Sequence, residues 1–130
     1  TARPGKPLIV AQHGNTVAFG LPGNPLAHFV CLNLYVRAAL EALAGRPGES
    51  VFQTGVLMAA LPADGNARET FWPAHWRLHD GVATLTPLRW SSSGDLTSLA
   101  SANALIRVTA GAQRLERSSW VEFVSTEMTL

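Results

Sequence analysis

A single cysteine, Cys31, stands in the whole chain, so no intrachain disulfide can form. That usage fits a reduced, cytoplasmic setting. The thiol lies midway along a helical pattern, where a buried, inert role is expected rather than a nucleophile, because reactive thiols need an exposed electropositive site. Charge is scarce as well: 15% of residues are Asp, Glu, Lys or Arg, the formal net charge is +1, and 47% of residues are hydrophobic. This composition excludes a disordered chain and a general polyanion-binding surface, so nucleic acid is not an expected partner. No apolar run approaches the roughly 20 residues of a membrane-spanning helix, and no signal-peptide pattern opens the chain. There is no internal repeat, no low-complexity tract, and no spacing that reads as a nucleophile triad or a carboxylate pair. The 130 residues suit one ordinary domain, or one small domain plus a piece of another. The opening "TARPGKP" carries no methionine and reads as part of something longer.

Against that plain background, conformational punctuation is concentrated at one junction. "FGLPGNPLAHF", Phe19 to Phe29, holds two glycines, two prolines and an asparagine between Gly20 and Pro25. Leu8 to Ala11 and Thr16 to Gly20 are short apolar stretches flanking a Gly14-Asn15 pair, which predicts a tight β-hairpin ahead of the junction. Leu26 to Ala44 reads as a helix whose stripe is Phe29, Leu32, Val36, Leu40 and Leu43, widened by Val30 and Leu34. Asn24 suits the N-cap, Pro25 the first helical position, and Gly45 the C-terminal cap, with Pro47 preventing resumption.

After "GRPGES", Gly45 to Ser50, the helical period disappears. Val51 to Leu57, Glu69 to Leu78, Val82 to Leu88, Leu105 to Thr109 and Trp120 to Ser125 read as strands, with Asp80-Gly81 a hairpin turn. Leu96 to Asn103 reads as one or two helical turns. Several short strands with turns between them predict a small β-barrel. Trp72, Trp76 and Trp90 are candidates to fill it, and Trp120 begins the last strand.

Two loops carry candidate chemistry. The start of a helix leaves backbone N–H groups without intrahelical partners, and its macrodipole adds positive potential. With glycines ahead of it, such a start can cradle an anion. Local physics also accounts for the same loop as a capped strand-to-helix turn, and that reading is the commoner one. "SSSGD", Ser91 to Asp95, offers hydroxyls to an oxyanion or is a solvated polar turn. His75, Arg77 and His79 share one strand face. A metal there would need a third ligand, so an exposed polar face is the expectation.

Several segments in order, "RPGKPL", "GNTVAFGLPGNPLA", "LYVRAALEALAG", "RETFWPAHW", "SSSGDLTSLASANALI" and "WVEF", resemble the molybdopterin molybdenumtransferase family, the MoeA-type family that includes the C-terminal domain of gephyrin. The likeness runs from about Arg3 to Val124 and covers only the C-terminal third of such a protein. It implies an α+β arrangement. Residues 1–47 would be the last hairpin and helix of an α/β molybdopterin-binding domain, and residues 48–130 a small β-barrel domain.

The resemblance further implies insertion of molybdate into adenylylated molybdopterin with magnesium, releasing AMP, in a cytoplasmic homodimer. Gly20, Pro22, Gly23, Asn24 and Pro25 would line the molybdate and cofactor site, with Ser93 and Gly94 contributing from the barrel side. The acidic magnesium motif of the family lies upstream of this segment, so no metal ligand is assigned here and the fragment alone is expected to be inactive. Three positions depart from the family pattern: Ala27 where a serine is usual, Pro73 where an arginine often stands, and Ser92 where a glycine is expected. A non-catalytic interaction or scaffold module that keeps the fold is the alternative these departures motivate.

Overall fold

The computed structural model describes residues 2–3, 9–20, 25–45, 51–62, 69–88, 96–111 and 114–127. Five strands close a ring: β4 (Phe52–Leu57), β5 (Glu69–His79), β6 (Val82–Pro87), β7 (Ala104–Val108) and β8 (Trp120–Ser125). Going round it, β4 pairs with β6, β6 with β5, β5 with β7, β7 with β8, and β8 with β4. All of these pairings are antiparallel except β4 with β6. Closure removes the edges that an open sheet would leave unpaired. β1 (Ala2–Arg3) runs parallel to β5 opposite Glu69 and Thr70, a stretch of β5 that β6 does not reach.

Alternation along the strands sorts side chains into an inside and an outside. Leu57, Ala74, Ala83, Leu85, Ala104, Ile106, Val108, Val121 and Phe123 form the interior cluster, with Trp72 and Trp76 packed against it. Trp76 tilts against Phe123 at a ring separation of 5.2 Å. Alanines at 74, 83 and 104 make room for these rings. Gly55 does the same on β4: a Cβ there would lie 2.6 Å from Leu85 Cδ1 and 3.0 Å from the carbonyl oxygen of Ala83, closer than packed atoms tolerate. At the tip of the β5–β6 hairpin, Asp80 and Gly81 both take positive φ, 50° and 79°, as a two-residue turn between right-twisted strands requires. Trp90 lies outside the described residues, and Trp120 starts β8 with its ring exposed.

Pro73, fully buried in β5, has no N–H to give the ladder. Its carbonyl accepts from Leu88 N–H at 3.0 Å, and the reciprocal donor is missing. Trp72 Nε1 fills that role, donating to Leu88 O at 2.9 Å. A neighbouring indole therefore satisfies the carbonyl that the proline ring leaves open.

The N-terminal part is a hairpin and a helix. β2 (Ile9–His13) and β3 (Thr16–Gly20) pair through the expected Gly14-Asn15 turn, with Gly14 at φ 59°. The helix begins at Pro25 and ends at Leu43, with Gly45 at φ 80° beyond it. It is not uniform: α1 (Pro25–Cys31) passes into a π segment, Leu32–Val36, before α2 (Arg37–Leu43). Within the π segment Arg37 N–H reaches back five residues to Leu32 O. From within the segment, Asn33 Nδ2 donates to Phe29 O at 2.9 Å, so a side chain supports the carbonyl one turn back.

Along the expected apolar stripe, Phe29, Leu32 and Val36 are half-buried, whereas Leu40 is 39% exposed and Leu43 73% exposed. Among the described side chains of the helix, Ala27, Val30, Cys31 and Asn33 are buried. The wider turn in mid-helix shifts the phase of the residues after it relative to a projection at 3.6 residues per turn.

Candidate functional site

The strand-to-helix junction lies between two described ends. β3 stops at Gly20, and the helix opens with Pro25 in its first position, as expected. Gly20 sits opposite Ile9, and a Cβ at position 20 would stand 3.2 Å from Ile9 Cβ, a contact the pair could absorb only by moving apart. Pro22, Gly23 and Asn24 lie outside the described residues, as do Ser92, Ser93 and Gly94 of the second loop.

What the structure does position is the element that follows each loop. The helix carries Val30 into a cluster with Phe71 of β5 and Leu105 of β7 on the outer wall of the barrel. Phe29, Leu34, Phe52 and Leu99 pack against the same cluster. Leu99 belongs to α3 (Leu96–Ser101), the short helix directly after the serine loop. The two helices that the two candidate loops feed into thus share one apolar cluster. Arg37 adds a polar tie, donating to Ser125 O at 2.7 Å and lying 3.4 Å from Glu41.

Asn103 fixes the exit of α3, a role that the Ala-Asn-Ala-Leu-Ile segment did not reveal in sequence. Its side-chain amide meets the main chain of Trp76 on both sides, Oδ1 accepting from Trp76 N–H at 2.7 Å and Nδ2 donating to Trp76 O at 3.0 Å. Its own N–H bonds Ala74 O at 3.1 Å, and its carbonyl accepts from Thr126 N–H at 3.0 Å. β7 begins only at Ala104, so the amide continues the ladder along the β7 side of β5 beyond the end of that pairing, while β6 pairs on the other side. The only sequence signal for this is an asparagine immediately before a strand, and its register against Trp76 is a tertiary fact.

Two groups on the helix are shifted by their surroundings. Burial pushes the Cys31 thiol up from its ordinary range, as the inert reading requires. Tyr35 is pushed up by partial burial first, then by negative charge at Cys31 and Glu69. On the outer wall, Arg107 donates to Glu69 at 2.7 Å and lies 4.6 Å over the Phe52 ring, an arrangement that fastens β7 to β5 and β4. His75, Arg77 and His79 are exposed along β5, as expected of a polar strand face, and His79 Nε2 lies 3.5 Å from Asp80. Among the described residues no three His, Cys, Asp or Glu side chains converge on a common point. No described helix is long and apolar enough to cross a membrane.

Comparison with known proteins agrees with this geometry. A family described as "MoeA C-terminal region (domain IV)" matches residues 54–125. A molybdopterin molybdenumtransferase of Staphylococcus epidermidis RP62A is 31% identical over 132 residues, covering 96% of this chain and 30% of the relative. Its counterpart in Staphylococcus aureus Mu50 is 30% identical over 128 residues with the same coverage. The chain therefore spans about 30% of the length of the curated relatives it matches. Among solved structures, a molybdopterin biosynthesis MoeA protein of Pyrococcus horikoshii shares the fold, with a TM-score of 0.76 at 24% identity over 98% of this chain and 31% of its own. A molybdenum cofactor biosynthesis protein of Pyrococcus furiosus aligns with a TM-score of 0.69 at 27% identity, over 96% of this chain and 43% of its own. The closed five-stranded barrel, the helix on its outer wall and these matches lead to one conclusion: the chain belongs to the MoeA C-terminal region (domain IV) family.

Proposed function

We propose that this chain is the C-terminal part of a molybdenum cofactor biosynthesis enzyme that inserts molybdate into adenylylated molybdopterin and releases AMP. The observation that carries the reading is kinship along the whole chain: 96% of it aligns with proteins named molybdopterin molybdenumtransferase, junction and barrel alike. Residues 1–47 then close an α/β domain and residues 48–130 form the barrel domain that follows it. The full-length protein works as a cytoplasmic homodimer, and the rest of its α/β domain lies over the hairpin.

In this reading the residues at the junction hold the oxyanion. Molybdate is a tetrahedral dianion. Backbone N–H groups at the helix start, approached through Gly20, Pro22, Gly23, Asn24 and Pro25, present donors together with the positive end of the helix dipole. Ser93 and Gly94 add donors from the barrel side. The shared cluster of Val30, Leu99, Phe71 and Leu105 supports the idea, since it ties the helices after both loops to one wall. The chain's contribution is positioning and charge stabilisation, with no protein nucleophile required. Magnesium belongs to the complete enzyme. The described residues supply no converging carboxylates, so they do not fit a magnesium site, and no step is assigned to the metal here.

A second reading has its own support. Ala27 is 3% exposed and Pro73 is fully buried, so two positions where the family pattern expects polar side chains are filled by packing residues. A scaffold that keeps the fold without the chemistry would tolerate both. One assay separates the readings: full-length protein supplied with adenylylated molybdopterin, magnesium and molybdate. AMP release with cofactor formation is expected, and its absence would sink the enzyme reading in favour of the scaffold.

A further inference from the structure

The outer wall of β5 and β6 carries a polar feature, separate from the helix-covered apolar patch around Phe71 and Leu105. Antiparallel register sets His75 opposite Thr86 and Arg77 opposite Thr84. Directly opposed side chains stand about 5 Å apart at Cβ, and residues two apart on one strand about 7 Å, so four polar side chains share a small quadrilateral. Met58 closes one side, held beside β6 by its backbone N–H on Leu85 O at 2.8 Å. These five residues line a cleft of about 290 Å³.

Arg77 is the charged side chain in the lining of the cleft. Arg37, Arg107 and Arg114 each lie within 4.0 Å of a carboxylate. Arg77 has no carboxylate partner among the described residues, and no Asp or Glu lines the cleft. Asp80, at the hairpin tip, faces His79 instead. The Thr84 hydroxyl is already used, donating to Arg77 O at 3.1 Å, which leaves Thr86 as the hydroxyl donor for a ligand. A guanidinium, an imidazole and a hydroxyl then line one small space on one hairpin. A planar carboxylate would occupy only two donors side by side. A tetrahedral phosphate can offer a separate oxygen to each, and Arg suits it through its paired N–H groups.

We propose that the cleft of Met58, His75, Arg77, Thr84 and Thr86 binds the phosphate group of a small phosphate monoester, with the exposed Met58 side chain against the organic part. This site does not depend on the proposed molybdate chemistry, and either can fail without the other. The test is a titration of the 130-residue chain, followed by 1H–15N NMR at fixed ionic strength, with inorganic phosphate, with glycerol 3-phosphate and with glycerol. Saturable shifts confined to the amides of 75, 77, 84 and 86 and their neighbours are expected with both phosphates, with a dissociation constant on the order of 1 mM. Arg77→Gln should weaken binding at least tenfold and Thr86→Val about threefold, with the hairpin amides of Asp80 and Gly81 unmoved as the control for folding. His75→Gln gives an independent reading if Arg77→Gln disturbs the strand. Non-saturating shifts spread over the surface, equal shifts in the Arg77 and His75 variants, or equal shifts with glycerol alone would overturn the proposal.

Discussion

The barrel and the hairpin ahead of it are built from similar apolar residues and treat them in opposite ways. In the barrel, Leu57, Leu85, Ile106 and Phe123 are sealed from water, and each of the five strands has neighbours on both sides. In the hairpin, Ile9 is 63% exposed and Val10 is 58% exposed, and the pair β2–β3 joins no other sheet among the described residues. An isolated two-stranded hairpin is marginal in water. The helix divides along the same line. Val30 and Cys31 are buried, while Leu40 and Leu43 emerge into solvent. One region thus carries its own stability, and the other presents apolar surface that only a further covering element would bury.

The largest effect that can sharpen this contrast lies inside the barrel. Phe123→Ala removes a ring that is fully buried and packed against Trp76 at 5.2 Å. The loss should be about 3–5 kcal/mol, since truncating a buried aromatic ring forfeits its transfer energy and leaves a cavity. Chemical denaturation followed by circular dichroism reads it directly. A loss below about 1 kcal/mol would show that the barrel does not carry the stability of the chain.

Next in size is Asn103→Ala. The substitution leaves Trp76 N–H and C=O without the amide that now bonds both. About 2 kcal/mol is expected for two main-chain groups losing partners, given that an unsatisfied buried group costs roughly 1–3 kcal/mol. Asn103→Asp keeps the acceptor and loses the donor, so it should fall between the wild type and alanine. If both variants melt with the wild type, water replaces the amide and the exit of α3 is not fixed by it.

How much of this was open to reading from the chain follows the same divide between local and distant causes. The turns at Gly14-Asn15 and Asp80-Gly81, the helix limits at Pro25 and Gly45, and the positions of β4 to β8 are set by residues close in sequence, and they stand where local chemistry puts them. The order of strands around the barrel is another matter. The parallel pairing of β4 with β6 and the closure of β5 on β7 join segments far apart in the chain, which no local pattern encodes. β1 is two residues long and carries no periodicity to detect. The π segment has no periodic signal of its own; the side-chain bond that accompanies it, from Asn33 to Phe29 O, is a detail of the folded helix. At the junction, Gly20 and Pro25 were legible as strand end and helix start. Asn103 is visible in sequence as an asparagine before a strand, and its work depends on a strand 27 residues away.

The smallest effect is the most informative about the hairpin. Ile9→Ala in the 130-residue chain should change stability by no more than about 0.5 kcal/mol, because a side chain that stays mostly in water gains little from being large. The same substitution in the full-length protein should cost about 2–5 kcal/mol if the α/β domain covers β2, since Ile9 would then be a core residue whose truncation leaves a cavity. The difference between the two backgrounds, and neither value alone, measures the cover. Hydrophobic dye should follow the same logic, binding the 130-residue chain and releasing when Ile9 and Val10 are both made serine. Equal small losses in both backgrounds would mean that the hairpin faces solvent in the complete protein too. Its apolar residues would then need another partner, and the division of the chain into a self-sufficient barrel and a dependent hairpin would have to be redrawn around that partner.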